Sequence, residues 1–135
     1  SREFLKKLRL NRNEIALVDM EAGVEHFGRG VDASLDGILL VVEPSLESIT
    51  LAERVRGLAT GIEKRVWAVL NKVTSDSLAF KLKDELRKRD INVIGAIPHD
   101  PEVFEACLEG RPLGQGEAAR QAGEILDFLL REAAK

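Results

Sequence analysis

The chain has a single cysteine, Cys107, which excludes a disulfide within the chain and is typical of a protein of the reducing cytoplasm. No apolar run approaches the roughly 20 residues that a membrane-spanning helix requires. We therefore expect a cytoplasmic protein that has neither a signal peptide nor a membrane anchor and does not bind membranes.

An excess of positive charge is also absent, because 20 lysines and arginines stand against 23 aspartates and glutamates, and the two kinds are evenly interspersed. A nucleic-acid surface would require a basic patch or stripe. We therefore expect no nucleic-acid binding by this chain. Its 135 residues, 44% of them hydrophobic, suffice for one domain with one core.

Two kinds of ligand-binding motif are missing. The sequence contains no Gly-x-x-x-x-Gly-Lys-Ser/Thr loop, whose backbone and lysine hold the β- and γ-phosphates of a nucleotide. His26, His99 and Cys107 lack the close spacing of metal ligands, so we expect no metal site made by this chain alone. A formal dinucleotide fingerprint over residues 28–33 is a chance match, because it does not follow a strand directly.

The sequence does contain an alternation of short apolar runs and amphipathic stretches, which is typical of strands that alternate with helices. Helix caps such as Ser45 and Asp100 predict where individual helices begin. This alternation predicts an α/β protein with a parallel, doubly wound sheet. The predicted strands are Ile15–Val18, Ile38–Val42, Val66–Leu70 and Val93–Ile97, and the predicted helices span about 1–10, 46–61, 76–89, 101–110 and 117–134, with a loop at 71–74.

The first of these strands leads into a pattern with chemical meaning. The apolar run Ile15–Val18 ends in the carboxylate of Asp19, and Gly23 follows four residues later. An aspartate at the carboxyl end of a parallel strand can bind the waters around Mg²⁺, and a glycine lets a backbone N–H approach a phosphate oxygen. A strand that ends in an ordinary polar turn has the same pattern, so the residues alone leave both interpretations open.

The run Asp-Met-Glu-Ala-Gly-Val-Glu-His-Phe-Gly-Arg-Gly at residues 19–30 resembles the switch II segment of the MinD/ParA ATPases, which are SIMIBI-class P-loop proteins with a deviant Walker A motif. Within that family it is most similar to the CooC-type ATPases, which assist nickel insertion into carbon monoxide dehydrogenase. The resemblance implies a three-layer α/β/α fold that binds ATP or ADP with Mg²⁺. It also implies catalytic roles for Asp19, which would order the water shell of Mg²⁺, and for Gly23, which would donate a hydrogen bond to the γ-phosphate.

Two further loops resemble the adenine pocket of that family. Asn71-Lys72 matches the asparagine that contacts adenine after a strand, although an asparagine that satisfies its own backbone in a turn has the same pattern. Pro98-His99-Asp100 resembles the Ile-Pro-x-Asp loop, whose backbone lines the base and the ribose. Asp100 can also be the cap of the next helix, and the two roles are compatible. The implied nucleotide-binding residues are Asn71, Lys72, Pro98, His99 and Asp100.

The resemblance covers nearly all of this chain but only about the C-terminal half of the usual domain, because the P-loop and its strand have no counterpart here. We therefore expect a partial domain, inactive as an isolated chain, that belongs to a homodimeric ATPase. Nickel would be bound by residues outside this chain, and carbon monoxide dehydrogenase or a related metalloenzyme would be the partner. Two alternatives remain: a non-catalytic interaction domain with a degenerate ATPase fold, and a ParA/MinD-type partitioning or positioning ATPase.

Overall fold

The computed structural model of the protein describes residues 7–20 and 34–135. These residues form three parallel strands in the order β1-β2-β3, together with four helices. The predicted α/β fold with a parallel sheet is thereby confirmed. In chain order the elements are β1 (Gly37–Val42), α1 (Leu46–Gly61), β2 (Arg65–Val73), α2 (Asp76–Arg87), β3 (Asn92–Pro98), α3 (Pro101–Glu109) and α4 (Glu117–Ala133).

The first helices begin where the sequence provides a cap. The Oγ atoms of Ser45 and Ser75 accept hydrogen bonds from the backbone N–H groups of Ser48 and Leu78, both at 3.1 Å. These bonds satisfy N–H groups that have no partner inside the helix, so the predicted starts of α1 and α2 are confirmed. Across the described ranges, no helix combines the length and the apolar surface that crossing a bilayer would need.

The helices cover both faces of the sheet. On one face α1 and α2 enclose a buried cluster with β1 and β2, in which Leu70 and Leu86 are fully buried. On the other face α4 packs against β3, where Gly95 lies directly beneath Ile125. Gly95 pairs with Val69, and Val69 faces away from Leu70 because side chains alternate along a strand. The helix α4 therefore lies on the opposite face of the sheet from α1 and α2, which makes three layers. The buried cluster consists of Val42, Ile49, Ala52, Ala68, Leu70, Val73, Leu82, Leu86 and Ile91.

The prediction of a strand at Ile15–Val18 is wrong. The segment forms no strand, and its Leu17 side chain is 85% exposed. An extended segment becomes a strand only when a neighbouring strand satisfies its backbone N–H and C=O groups. No strand within residues 7–20 and 34–135 pairs with this segment, so its apolar residues stay outside the sheet.

Other parts of the prediction also differ from the structure. Residues 8–10 are not helical, so the amphipathic helix predicted over 1–10 is wrong in this part, while residues 1–6 lie outside the described residues. Lys7 is helical, as predicted. The loop predicted at 71–74 is wrong for residues 71–73, because β2 continues to Val73, and residue 74 lies outside the strand as predicted.

The close packing of α4 on the sheet at Gly95 gives a first test. A Cβ atom at this position would lie 2.6 Å from Cγ1 and 2.9 Å from Cδ1 of Ile125. We expect Gly95→Ala to lower the free energy of unfolding by about 1–3 kcal/mol through overpacking, as measured by urea denaturation. Gly57→Ala on α1 is the matched control, because a Cβ there meets no atom within 4 Å and should stabilise the helix slightly. Equal stabilities of the two variants would contradict this packing.

Candidate functional site

The carboxyl ends of the three strands lie at one edge of the sheet, because the strands are parallel. Glu43 follows β1 there, and His99 follows β3. The backbone N–H of His99 donates a hydrogen bond of 2.8 Å to the carbonyl oxygen of Val73, which ties the loop after β3 to the end of β2. This edge brings together the residues predicted to bind the adenine part of a nucleotide. We call it the carboxyl-edge cluster, which consists of Glu43, Asn71, Lys72, Pro98, His99 and Asp100.

A bulge in β2 shapes the cluster. Leu70 pairs with Ala96 and Val73 pairs with Pro98, so the two residues between them on β2 face a single residue of β3. Lys72 is one of these two residues, and its φ angle of 56° lies in the left-handed region. This conformation accommodates the extra residue. The sequence contains no glycine at this point, so nothing in the local pattern indicated the bulge.

Asn71 lies in this bulge with a half-buried side chain. Its amide takes part in no hydrogen bond with the described residues, so the interpretation as a turn asparagine bonded to its own backbone does not hold within them. An asparagine amide has two N–H donors and one oxygen acceptor. Because no described residue bonds to these donors or to this acceptor, all three are available to a ligand.

Asp100 connects two helices through its carboxylate. Its Oδ1 accepts a hydrogen bond of 3.0 Å from the N–H of Glu102 at the start of α3, as the sequence predicted for a cap. Its Oδ2 accepts a second hydrogen bond of 3.2 Å from the N–H of Ala118 at the start of α4. A Cβ on Gly116 would lie 2.9 Å from that oxygen, so any other residue there would displace the Asp100 carboxylate. The sequence did not reveal this second cap, because nothing local links Asp100 to α4.

A short ion-pair network supports α3 beside the cluster. Arg111 donates from Nη1 to Oε1 of Glu102 and from Nε to Oε2 of Glu109, both at 2.6 Å. The hydrogen bond from Arg111 holds the pKa of the Glu102 carboxyl below its usual value. Glu102 therefore remains negatively charged at neutral pH in the first turn of α3, where negative charge is favourable.

The residues predicted to act on the phosphates are only partly described. Asp19 is exposed directly after the Ile15–Val18 segment, and it lines the same cleft as Val42 and Ser48 near the carboxyl end of β1. Gly23 lies outside the described residues, as do His26 and the rest of 21–33. Within the described residues, no three His, Cys, Asp or Glu side chains lie close enough to hold a metal ion.

An apolar cleft of about 880 Å³ separates the Ile15–Val18 segment from β1. The outer edge of β1 has no partner strand in the described ranges, and Val41 on this strand is 59% exposed. Side chains from α1 and α4 complete the walls of the cleft. These are Ser48, Leu51, Ala52 and Val55 of α1, and Leu126, Leu129, Leu130 and Ala133 of α4.

No protein-family model matches the sequence. An uncharacterised ATP-binding protein of Methanocaldococcus jannaschii is 37% identical to the chain, over 83% of this chain and 44% of that protein. The carbon monoxide dehydrogenase accessory protein CooC of Rhodospirillum rubrum is 34% identical, over 81% of this chain and 41% of its own length. The solved structure of the MinD cell division protein of Aquifex aeolicus matches with a TM-score of 0.63 at 22% identity, over 74% of this chain and 46% of that chain.

The parallel three-layer arrangement and its match to MinD show that the chain has the α/β fold of the P-loop NTPases. The sequence relatives identify the family within this fold: the chain belongs to the MinD/ParA-like ATPases and has CooC among its relatives. The family predicted from the switch II-like run is thereby confirmed. The chain spans about half the length of the curated relatives that it matches.

The double cap at Asp100 gives a second test. Removing a single cap costs about 0.5–2 kcal/mol, so we expect Asp100→Ala, which removes two, to cost about twice as much as Ser75→Ala, which removes one. Urea denaturation of both variants measures the difference. Asp100→Asn keeps one acceptor oxygen, so its loss of stability should lie between those of the two alanine variants. If Asp100→Ala costs no more than Ser75→Ala, the bond to α4 contributes nothing.

Proposed function

We propose that this chain forms the adenine-binding and switch II part of an ATP-hydrolysing MinD/ParA-type ATPase. The observation that carries the proposal is the amide of Asn71, which has no hydrogen-bond partner among the described residues and lies beside the Pro98-His99 backbone at the carboxyl edge of the sheet. In open α/β sheets, ligands bind at this edge. The amide of Asn71 would donate to and accept from the edge of adenine, while the Pro98-His99 backbone would line the base and the ribose. Asp100 would hold that loop through its two caps.

The phosphate end of the site would depend on Asp19 and Gly23. The carboxylate of Asp19 is exposed, which fits a role in binding the waters around Mg²⁺, since this ion keeps several waters in protein sites. When bound, Mg²⁺ would neutralise charge on the phosphates. Gly23 would donate its backbone N–H to the γ-phosphate. The phosphate cradle itself would come from a P-loop that is not among these 135 residues, so the isolated chain would be inactive.

The apolar cleft supports the proposal that a further strand completes the sheet. A strand carrying the P-loop would pair with the free edge of β1 and cover Val41. β1 has six residues, which is a usual strand length and leaves room for a partner of equal length. The same strand would give Ile15–Val18 the neighbour that it lacks. The phosphates would then lie between Asp19 and the carboxyl-edge cluster.

This arrangement gives a third test, which uses two exposed apolar residues. Val41→Lys should abolish co-purification of the chain with the P-loop-bearing part, because a charge would be buried in the completed sheet. The isolated chain should lose little stability, since Val41 is 59% exposed in it. Leu46→Lys is the control, because Leu46 is 76% exposed on α1 and is absent from the walls of the cleft. Undiminished co-purification of Val41→Lys would contradict the proposed pairing.

The biological task that we propose is nickel insertion into carbon monoxide dehydrogenase or a related metalloenzyme. The similarity to CooC of Rhodospirillum rubrum supports it, because that relative is a carbon monoxide dehydrogenase accessory protein. In this proposal the ATPase is a homodimer, and nickel is held by residues outside this chain. The second candidate function is that of a positioning ATPase. It is supported by relatives that are named as septum site-determining MinD proteins. Nickel binding by the complete protein, together with ATP-dependent activation of the apo-metalloenzyme, would separate the two.

Asn71 provides the direct test of nucleotide binding. In the complete protein, Asn71→Ala should weaken ATP binding about fivefold or more, because the lost hydrogen bonds to the base are worth about 1–3 kcal/mol. The free energy of unfolding should change little, since the amide has no partner among the described residues. Calorimetric titration with ATP measures the first quantity and urea denaturation the second. An unchanged ATP affinity would remove Asn71 from the site. No ATP binding by the unmodified protein would favour the non-catalytic interaction domain.

A further inference from the structure

Lys72 has a backbone conformation that lysine rarely adopts. Its φ angle of 56° lies in the left-handed region, where the Cβ atom of an L-residue is crowded against the backbone. Glycine avoids this strain, and asparagine and aspartate tolerate it better than lysine does. Such strain persists only where the surrounding structure holds it, and it is common at functional sites.

The strain at Lys72 resolves a conflict in β2. Ala68, Leu70 and Val73 all belong to the same buried cluster on the α1 and α2 face. In a regular strand, Val73 would lie on the opposite face from Leu70, because side chains alternate. The left-handed residue resets this alternation and returns Val73 to the core. In a regular strand Asn71 and Val73 would lie on the same face, because they are two residues apart. Val73 could then reach the core only if Asn71 faced the same apolar cluster.

An ion pair ties the strained residue to the neighbouring strand. The Nζ atom of Lys72 lies 2.7 Å from Oε1 of Glu43, directly after β1. Glu43 is itself held in place, since its N–H donates to Oγ of Ser48 at 3.0 Å and its carbonyl oxygen accepts from the N–H of Ser45 at 2.7 Å. Both charged side chains are about half exposed, so the pair adds little stability. The pair links the side chain of Lys72 to the end of β1.

We propose that Lys72 is a positioning residue for base recognition. Its left-handed backbone, held by Glu43, sets the direction of the Asn71 amide at the carboxyl edge. This inference rests on the proposed function and goes beyond it, because it assigns to Lys72 an action through its backbone and not through contact with the nucleotide. Glu43 then acts on Asn71 only through Lys72.

The test compares backbone effects with charge effects in the complete protein. Lys72→Gly removes the charge but allows the left-handed conformation, whereas Lys72→Val removes the charge and opposes that conformation. Glu63 is the matched control position, because it is also left-handed, with a φ angle of 54°, and lies in the turn that precedes β2. Glu63→Gly and Glu63→Val therefore change the strain equally without reaching the cluster.

Two quantities are measured. The first is the NMR resonance of the Asn71 side-chain amide in the nucleotide-free protein, identified by its loss in Asn71→Ala. The second is the ratio of the ATP and GTP affinities, with inorganic tripolyphosphate as a ligand that has no base. We expect Lys72→Val to shift the resonance and to lower the ratio about tenfold, and Lys72→Gly to change both far less. Tripolyphosphate affinity should change less than about twofold in every variant, and the Glu63 variants should affect neither quantity.

The role of Glu43 is tested by a double-mutant cycle. Glu43→Gln should shift the Asn71 resonance in the unmodified background, but not in the Lys72→Gly background, where glycine needs no ion pair to stay left-handed. Lys72→Arg should rescue the position, since it keeps both the charge and the pair. If Lys72→Val does not fold, Lys72→Ala gives the same comparison with a smaller steric conflict.

Three results would overturn the proposal. One is an unmoved Asn71 resonance in Lys72→Val or Lys72→Ala. Another is an equal loss of ATP and tripolyphosphate affinity in Lys72→Gly and Lys72→Val, which would make Lys72 a direct phosphate ligand. The third is an equal effect of Glu43→Gln in both backgrounds. If the unmodified protein binds no nucleotide, the proposed function fails, but the resonance measurements still decide whether Lys72 positions Asn71.

Discussion

The candidate site depends on one constraint, which is the parallel pairing of β2 and β3 in a fixed register. Pairing of Val73 with Pro98 places the loop after β3 beside the bulge of β2, and the hydrogen bond from His99 to the Val73 carbonyl oxygen holds it there. Loops that follow parallel strands meet at one edge of a sheet. A slip of β3 by one residue would move this loop away from Asn71 and turn the side chains of β3 to the opposite face.

The polar groups of the cluster have different tasks. Asp100 uses both carboxylate oxygens to accept hydrogen bonds at the starts of α3 and α4, so it holds the loop in place. Lys72 is paired with Glu43, whereas the amide of Asn71 has no partner among the described residues. A binding site needs such a division, because a ligand-binding group is precise only when its neighbours are held by other contacts.

β1 shows how the sheet depends on a neighbour. Its sequence, Gly-Ile-Leu-Leu-Val-Val, is typical of a strand covered on both faces, yet its outer edge is unpaired in the described ranges. The equally apolar Ile15–Val18 borders the same cleft and forms no strand. One further strand would account for both features, because it would pair with β1 and cover the apolar side chains that now line the cleft. The chain's match to about half of its relatives' length agrees with this proposal.

The sequence by itself determined the family, the parallel α/β class, the cap of α1 at Ser45 and the cap of α3 at Asp100, because these depend on residues close together along the chain. Its apolar runs also located β1, β2 and β3, but they could not decide whether Ile15–Val18 has a partner strand. Only the tertiary structure decided the second cap at Asp100 and the left-handed Lys72. Both depend on contacts between distant segments and on the need to keep Val73 in the core, which no local pattern contains.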